Sequence, residues 1–309
     1  MTGLKPSKSQ SGTLPFYLTG AETSSTPLIR GRLSRLFTPA SDILERHNYP
    51  DAVGELCAES MALTSCLATT LKFDGVFTLQ AKGDGAVRTL FSDVTSEGFV
   101  RCYAAFDDEA VAHSKPSEPA VLPRLMGGGY MAFTVDQSDN GQRYQGIVEL
   151  DGPHLSDAAQ AWFRNSEQMA TKLISVAQKK EKGWVSSALF LQQIASKGGN
   201  RSDAAELEDA WHTALVLMSS IKRTEMLDEY LPAPDLLYRL FHSQALHIQE
   251  TRPIIDKCRC SNDKVYSMLK SLNEEQLREL ADEDQKLVVN CEFCKRSRFH
   301  GLDDILKAY

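Results

Sequence analysis

The chain has 309 residues, with 34 lysines and arginines against 41 acidic side chains and a formal charge of −7. Hydrophobic residues make up 42% and charged residues 24%, the proportions of a soluble globular protein with one large domain or two modest ones. The acidic balance counts against a protein that coats nucleic acid, and no run approaches the roughly 18 apolar residues of a membrane-spanning helix.

Met1 to Phe16 carries Lys5 and Lys8 but no apolar core, so it does not read as a secretory signal. Its Ser and Thr content predicts a disordered tail over residues 1–13, and the cytosol is the expected compartment. Ser41 is expected to cap a short helix ending near His47, and Pro50 to open a second one. Between Ala52 and Thr70, apolar residues such as Val53, Leu56, Met61 and Leu67 recur at helical spacing, predicting a helix that lies on a sheet. Strands are expected at Val76 to Ala81 and Val87 to Phe91, with Gly83-Asp84-Gly85 in the turn, and then at Phe99 to Phe106 and Tyr130 to Val135. Asn140-Gly141 signals a turn before a strand from Tyr144 to Leu150. Ser156 is expected to cap a helix whose apolar face holds Ala159, Trp162 and Phe163. Lys172 to Ala177 and Val185 to Ile194 read as closing strands about the Lys182-Gly183 turn. Mixed strands with segregated helices give an α+β fold for the first domain, residues 14–197.

Lys197-Gly198-Gly199-Asn200-Arg201 is a break in composition. Beyond it, helices are expected from Asp203 to about Ile221 and from Asp235 to His242, with Pro232 and Pro234 between them, as a helical connector over 198–253. Residues 254–309 read as a small module with short helices after Ser261 and Asn273 and a brief strand at Leu287 to Val289.

Seven cysteines in a chain without a secretion signal should be reduced thiols, catalytic groups or metal ligands. Cys57, Cys66 and Cys102 stand among apolar neighbours and read as small buried hydrophobes. The other four form the pattern Cys258-Arg259-Cys260, thirty residues, then Cys291-Glu292-Phe293-Cys294. Two close thiolate pairs complete a tetrahedron about one zinc ion, with Zn–S near about 2.3 Å. A module this small cannot sustain a core unaided, so the metal would supply much of its folding free energy. Closed four-thiolate sites are commonly structural, as in zinc ribbons that bind nucleic acid or protein. A disulfide across the short Cys-x-Cys loop would be strained and labile, which suits a regulatory pair. Lys257, Arg259, Lys295, Arg296 and Arg298 could favour thiolates or form a basic edge. Spacing leaves both readings open.

Enzyme signals are poor. Cys291-x-x-Cys294 lacks the βαβ context of a thiol–disulfide oxidoreductase, and Gly83-x-Gly85 lacks a third glycine at dinucleotide spacing. Gly127-Gly128-Gly129 is followed by Tyr130 rather than by a phosphate-binding lysine, and the seven histidines form no triad. No catalytic residue and no cofactor other than zinc is expected.

The whole chain, from about Leu28 to Ile305, resembles the redox-regulated heat-shock protein 33 family of holdase chaperones. The resemblance rests on Cys258-Arg259-Cys260-Ser261 and Cys291-Glu292-Phe293-Cys294. It extends through His47-Asn48-Tyr49-Pro50, Thr70 to Gly75, Gly83-Asp84-Gly85, Arg143-Tyr144-Gln145-Gly146 and Ser166-Glu167-Gln168. It implies a reduced, zinc-bound, inactive state held by Cys258, Cys260, Cys291 and Cys294. It further implies an oxidised, active state with Cys258–Cys260 and Cys291–Cys294 disulfides, in which zinc has left, the module has unfolded and the connector has loosened. Unfolding client proteins would then be held without ATP, commonly by a homodimer. Leu215, Val216, Leu217, Met218, Leu236, Leu237, Leu240 and Phe241 would be buried while the connector is docked and exposed on release. The chain departs from the family's alternating aromatic pair at Arg298-Phe299-His300, and its segment before Leu28 is longer. His300 is expected to be a surface residue rather than a fifth ligand.

Overall fold

Leu14, Phe16 and Leu18 alternate with Thr13, Pro15 and Tyr17, and this period of two makes Gly12–Leu18 a strand, β1. The expected tail therefore ends earlier than residue 13. Gly12 and Thr13 lie in the strand, Thr13 is fully buried, and the Ser9 amide donates to the Glu229 carbonyl at 2.8 Å. The structure is a computed structural model describing residues 9–20, 26–114, 121–137, 141–166, 169–194 and 201–307. The expected composition break at 197–200, Asn140 of the expected turn and the Glu167-Gln168 signature lie outside these residues.

Strand β2 (Ile29–Leu36), which pattern reading passes over, leads into helices α1 (Thr38–His47) and α2 (Asp51–Ala68). Then come β3 (Gly75–Gly83), β4 (Val87–Thr95) and β5 (Phe99–Phe106), followed by the short helices α3 (Asp108–His113) and α4 (Val121–Met126). The chain continues through β6 (Gly129–Gln137), β7 (Arg143–Glu149), α5 (Leu155–Ser166), β8 (Thr171–Lys180) and β9 (Gly183–Gln193). Helices α6 (Arg201–Ser219), α7 (Arg223–Met226) and α8 (Ala233–Phe241) precede the short strands β10 (Leu246–Ile248), β11 (Arg252–Pro253) and β12 (Ile255–Asp256). The chain divides into two compact units, residues 1–256 and 257–309. The second unit holds α9 (Asn262–Leu269), α10 (Glu274–Leu280), β13 (Lys286–Asn290), β14 (Ser297–Gly301) and α11 (Leu302–Leu306). The α+β class is as the sequence predicts.

The first unit has two sheets. One runs β10-β1-β2-β9-β8, with β11 also on β1, and the other runs β12-β5-β4-β3-β6-β7. Helix α2 does not lie on one sheet. It touches strands of both, and almost its whole circumference is buried, including Val53, Leu56, Met61 and Leu63. Small residues permit this: the Trp184 ring lies against Gly54 so closely that a Cβ there would meet it at 2.5 Å.

Ser41 does not cap α1, which begins three residues earlier with Pro39 in its first turn. Its hydroxyl instead bonds the Trp184 amide at 2.7 Å and tethers the helix to β9. Likewise Ser156 is buried within α5, which starts at Leu155, so it is not the cap.

Strand β9 is buried on both faces. Ala188 and Phe190 join the core around α2, while Leu189 and Leu191 point the other way. They meet Leu14, Phe16, Leu18, Ile29 and Leu33 under Trp211, Met218, Leu236, Leu237 and Phe241 of α6 and α8. The expected connector helices thus cover a sheet face. Leu215 and Leu217 pack only partly against it and Val216 is exposed, so the apolar stripe is narrower than the sequence suggests.

Candidate metal centre and the covered sheet face

In the second unit, Leu269, Leu277, Leu287, Leu302 and Ile305 form the entire fully buried apolar cluster of the described residues. So few side chains supply little burial free energy, and local devices carry much of the order. Ser261 Oγ accepts the Lys264 amide and starts α9 directly after Cys260. Asn273 and Gln276 form a reciprocal capping box on α10. Both caps fall where the sequence places them. Strand β14, which the sequence reading misses, pairs antiparallel with β13, Asn290 opposite Ser297. Cys291 and Cys294 occupy the loop between them. There the Cys291 amide donates to the Arg296 carbonyl and the Lys295 amide to the Cys291 carbonyl, with Lys295 left-handed at φ 54°.

The two halves converge. Cys258 Sγ lies 3.7 Å from Cys291 Sγ, Cys260 Sγ lies 3.4 Å from Cys294 Sγ, and all four sulfurs fall within 4.8 Å of one another. All seven cysteines are free thiols, and Cys57, Cys66 and Cys102 are buried, as small core hydrophobes should be. A tetrahedron with metal–sulfur bonds of about 2.3 Å has edges of about 3.8 Å, so the sulfur spacing fits a soft four-coordinate dication.

Electrostatics agree with the geometry. Burial, then the Cys294 and other neighbouring thiols, push Cys260 up to about 12, and burial also raises Cys258. Cys291 goes the other way. Burial opposes its ionisation, but the Cys294 and Phe293 amides and the Cys294 and Cys258 thiols bring it down to about 7. Four sulfurs this close cannot all ionise without a cation among them. The Arg298 guanidinium donates to Cys260 Sγ at 3.0 Å and to the Cys260 carbonyl at 3.1 Å, while Lys295 pairs with Glu292. The role of the Phe293 amide and of left-handed Lys295 has no residue-type signature, which is why sequence reading misses it.

His300 lies outside the sulfur cluster. It is half-buried beside Tyr266, with ring centroids 6.3 Å apart, while Phe299 is exposed. The glycines that might suggest a nucleotide loop form a turn instead. Gly128 N–H donates to Asp84 Oδ1 at 2.8 Å, and the Asp84 and Gly85 amides bond the Gly128 and Met126 carbonyls. A carboxylate occupies the place an anion would need.

In the first unit, a second feature concerns the covered sheet face. Arg35 of β2 is almost wholly buried, and its guanidinium donates to the carbonyls of Met226, Asp228 and Leu231, in and just after α7. Burial lowers its pKa to about 10, against the attraction of Asp228. Lys180 bonds the Leu227 carbonyl, and Arg223 reaches the Ala177 carbonyl and Glu55. These polar contacts tie the helical segment to β2, β8 and α2.

The family model described as "Hsp33 protein" matches residues 22–299. A protein named "33 kDa chaperonin" from Caulobacter vibrioides is 33% identical over 310 residues, covering 98% of this chain and 99% of its own. Another of that name, from Pseudomonas fluorescens, is 34% identical over 281 residues, covering 91% and 89%. The crystal structure of the 33 kDa chaperonin from Thermotoga maritima superposes with a TM-score of 0.78 at 18% identity, over 96% of this chain and 98% of that one, and so shares its fold.

Proposed function

The chain belongs to the Hsp33 family, and from that premise we propose that it is a redox-regulated, ATP-independent holdase chaperone of the cytosol. The observation that carries the proposal is the convergence of four thiol sulfurs within 4.8 Å. In the resting state Cys258, Cys260, Cys291 and Cys294 hold one zinc ion. When bound, the ion keeps the four sulfurs as thiolates and adds its binding free energy to a unit with a very small apolar core.

Oxidation by peroxide closes Cys258–Cys260 and Cys291–Cys294. Each thiolate pair gives up two electrons to one peroxide, which takes two protons from solvent and leaves as two waters, so two peroxides close both pairs. The sulfurs are then no longer anionic donors, the second unit loses its cross-link, and residues 254–309 unfold as the switch. Sulfur contacts of 3.7 and 3.4 Å run across the pairs, Cys258 to Cys291 and Cys260 to Cys294, and these part as each pair closes on itself.

Residues 198–253 act as the connector of a core domain over 14–197. Their release uncovers Leu14, Phe16, Leu33, Leu189 and Leu191, an apolar sheet face of the kind that holds unfolding polypeptides. The oxidised, released form works as a homodimer. The role is one of binding, with no catalytic residue.

The test compares zinc-loaded reduced protein with peroxide-treated protein at elevated temperature. It follows metal release, free thiols and aggregation of an unfolding test protein together. Loss of zinc and of four thiols, with protection appearing only then, is the expected result. Retained zinc with no protection in either state would make the cluster a structural site and overturn the proposal.

A further inference from the structure

A groove of about 420 Å³ opens in the first unit, where the segment after α2, strands β3, β6 and β7, and helix α5 meet. Phe77 of β3 and Phe133 of β6 are buried and stack beneath it, with ring centroids 6.2 Å apart. Trp162 of α5 lies against Phe133 at 5.1 Å, and Phe73 and the exposed Tyr144 complete an aromatic wall. The wall depends on Gly146 of β7. A Cβ there would meet Trp162 Nε1 at 2.1 Å, so any side chain would push the indole out of place.

The charge of the groove is one-sided. Lys72 is the one charged residue of its lining, which holds no carboxylate. The acids next to the lining in sequence are engaged elsewhere. Asp74 accepts the Ser96 hydroxyl at 3.0 Å, and Asp136 pairs with Arg143 at 2.6 Å. The Tyr144 hydroxyl donates to Gln142, and the Gln145 amide to Thr134. Neither the exposed Lys72 ammonium nor the half-buried Trp162 indole N–H has a hydrogen-bond partner among the described residues. Both are donors. A larger cavity that Lys72 also borders, of about 720 Å³, sets Glu97 and Glu250 among its cations and has no such bias.

An aromatic groove with one cation and unpartnered donors is complementary to an anion carried on a flat apolar body. A carboxylate offers acceptors alone, which matches donors alone. An aryl tail gains offset-stacked or edge-to-face contacts with phenylalanine and tryptophan that an alkyl tail of equal area lacks. A cationic ligand would be repelled by Lys72.

We propose that this groove binds a small aryl carboxylate, with its ring against Trp162 and Phe133 and its carboxylate toward Lys72. The site uses no cysteine and no residue of α6–α8, so it is independent of the redox reading. The test titrates the full chain, reduced and zinc-loaded, with phenylbutanoate, followed by calorimetry and by tryptophan fluorescence. Trp184 and Trp211 are buried, so the fluorescence change should belong to Trp162. It should vanish in Trp162→Phe while the heat of binding persists. Lys72→Met should weaken binding about tenfold, the size of a hydrogen bond to a charged group, and phenylbutanol should bind the unaltered protein just as weakly. The thermal unfolding midpoint of Lys72→Met should not move, since the ammonium has no partner to lose. The absence of saturable heat would overturn the proposal. Equal binding of acid and alcohol, unmoved by Lys72→Met, would also overturn it and make the groove a general apolar patch. Tighter binding of decanoate than of phenylbutanoate would refute the aryl assignment, and a fluorescence change that survives in Trp162→Phe would place the ligand elsewhere.

Discussion

Replacing Arg35 by methionine should loosen the helical segment without touching the cysteines. The side chain donates to three carbonyls of one stretch, Met226, Asp228 and Leu231, from a fully buried position in β2. A hydrogen bond to a charged group contributes about 1.5–3 kcal/mol, and part of the sum returns because the guanidinium no longer has to be desolvated. We expect a net loss of about 3 kcal/mol in docking, which raises the undocked population on the order of a hundredfold. Methionine keeps the apolar stem against Phe37, whose ring centroid lies 5.1 Å from the guanidinium carbon. The assay is hydrogen exchange of reduced, zinc-loaded protein over residues 201–241, with aggregation suppression measured alongside. Faster exchange there, unchanged exchange in α2, and partial protection of a test protein without oxidant are expected. Equal acceleration in α2 and in α6–α8 would mean that the helices unfold only with the whole unit, and would refute the reasoning.

Glu59, buried in α2, accepts the Ser175 hydroxyl at 2.6 Å, and burial raises its pKa to about 7, against that hydrogen bond. The folded state then holds a proton that the unfolded chain has lost. Stability should be full below about pH 4.5, fall as pH rises to about 7, and stay low above it. Glu59→Gln should flatten that slope and gain up to about 3 kcal/mol at pH 8, read by denaturant unfolding at both pH extremes; an unchanged slope would refute it. Arg298→Ala removes the donor to Cys260 Sγ and should weaken zinc binding about tenfold in chelator competition, as loss of an outer-shell partner does. Chelating the metal under reducing conditions should abolish amide protection in α9–α11 and leave α2 protected, since each unit has its own core.

The four-cysteine cluster was legible because its chemistry lies in residue type and spacing. Four cysteines in two close pairs name their own partners, and Ser261 and Asn273 announce the helices that bring the pairs together. The middle strands were legible for a similar reason, since Phe99 to Phe106 is rich in aromatic and apolar residues. What pattern reading missed depends on distant partners. β10, β11 and β12 are two or three residues long and exist as strands only because β1 and β5 offer them edges. Arg32 and Arg35 disguise β2, and nothing local shows that Arg35 ends up buried beneath carbonyls more than 190 residues away. Ser41 and Ser156 fit the cap rule locally, but tertiary bonding and burial claim both side chains.

Strand β1 is completed from two very different distances along the chain. β2 arrives by residue 36, whereas β10 and β11, on its other side, are made only at residues 246–253. During synthesis at about 5–20 residues per second, roughly 10–40 s separate the two events on the ribosome. Throughout that interval β1 presents an open edge, and for most of it Leu14, Phe16 and Leu18 lack their cover, since α6 and α8 are made only at residues 201–241. The nascent chain is therefore itself an aggregation-prone polypeptide in need of shelter before it can offer any.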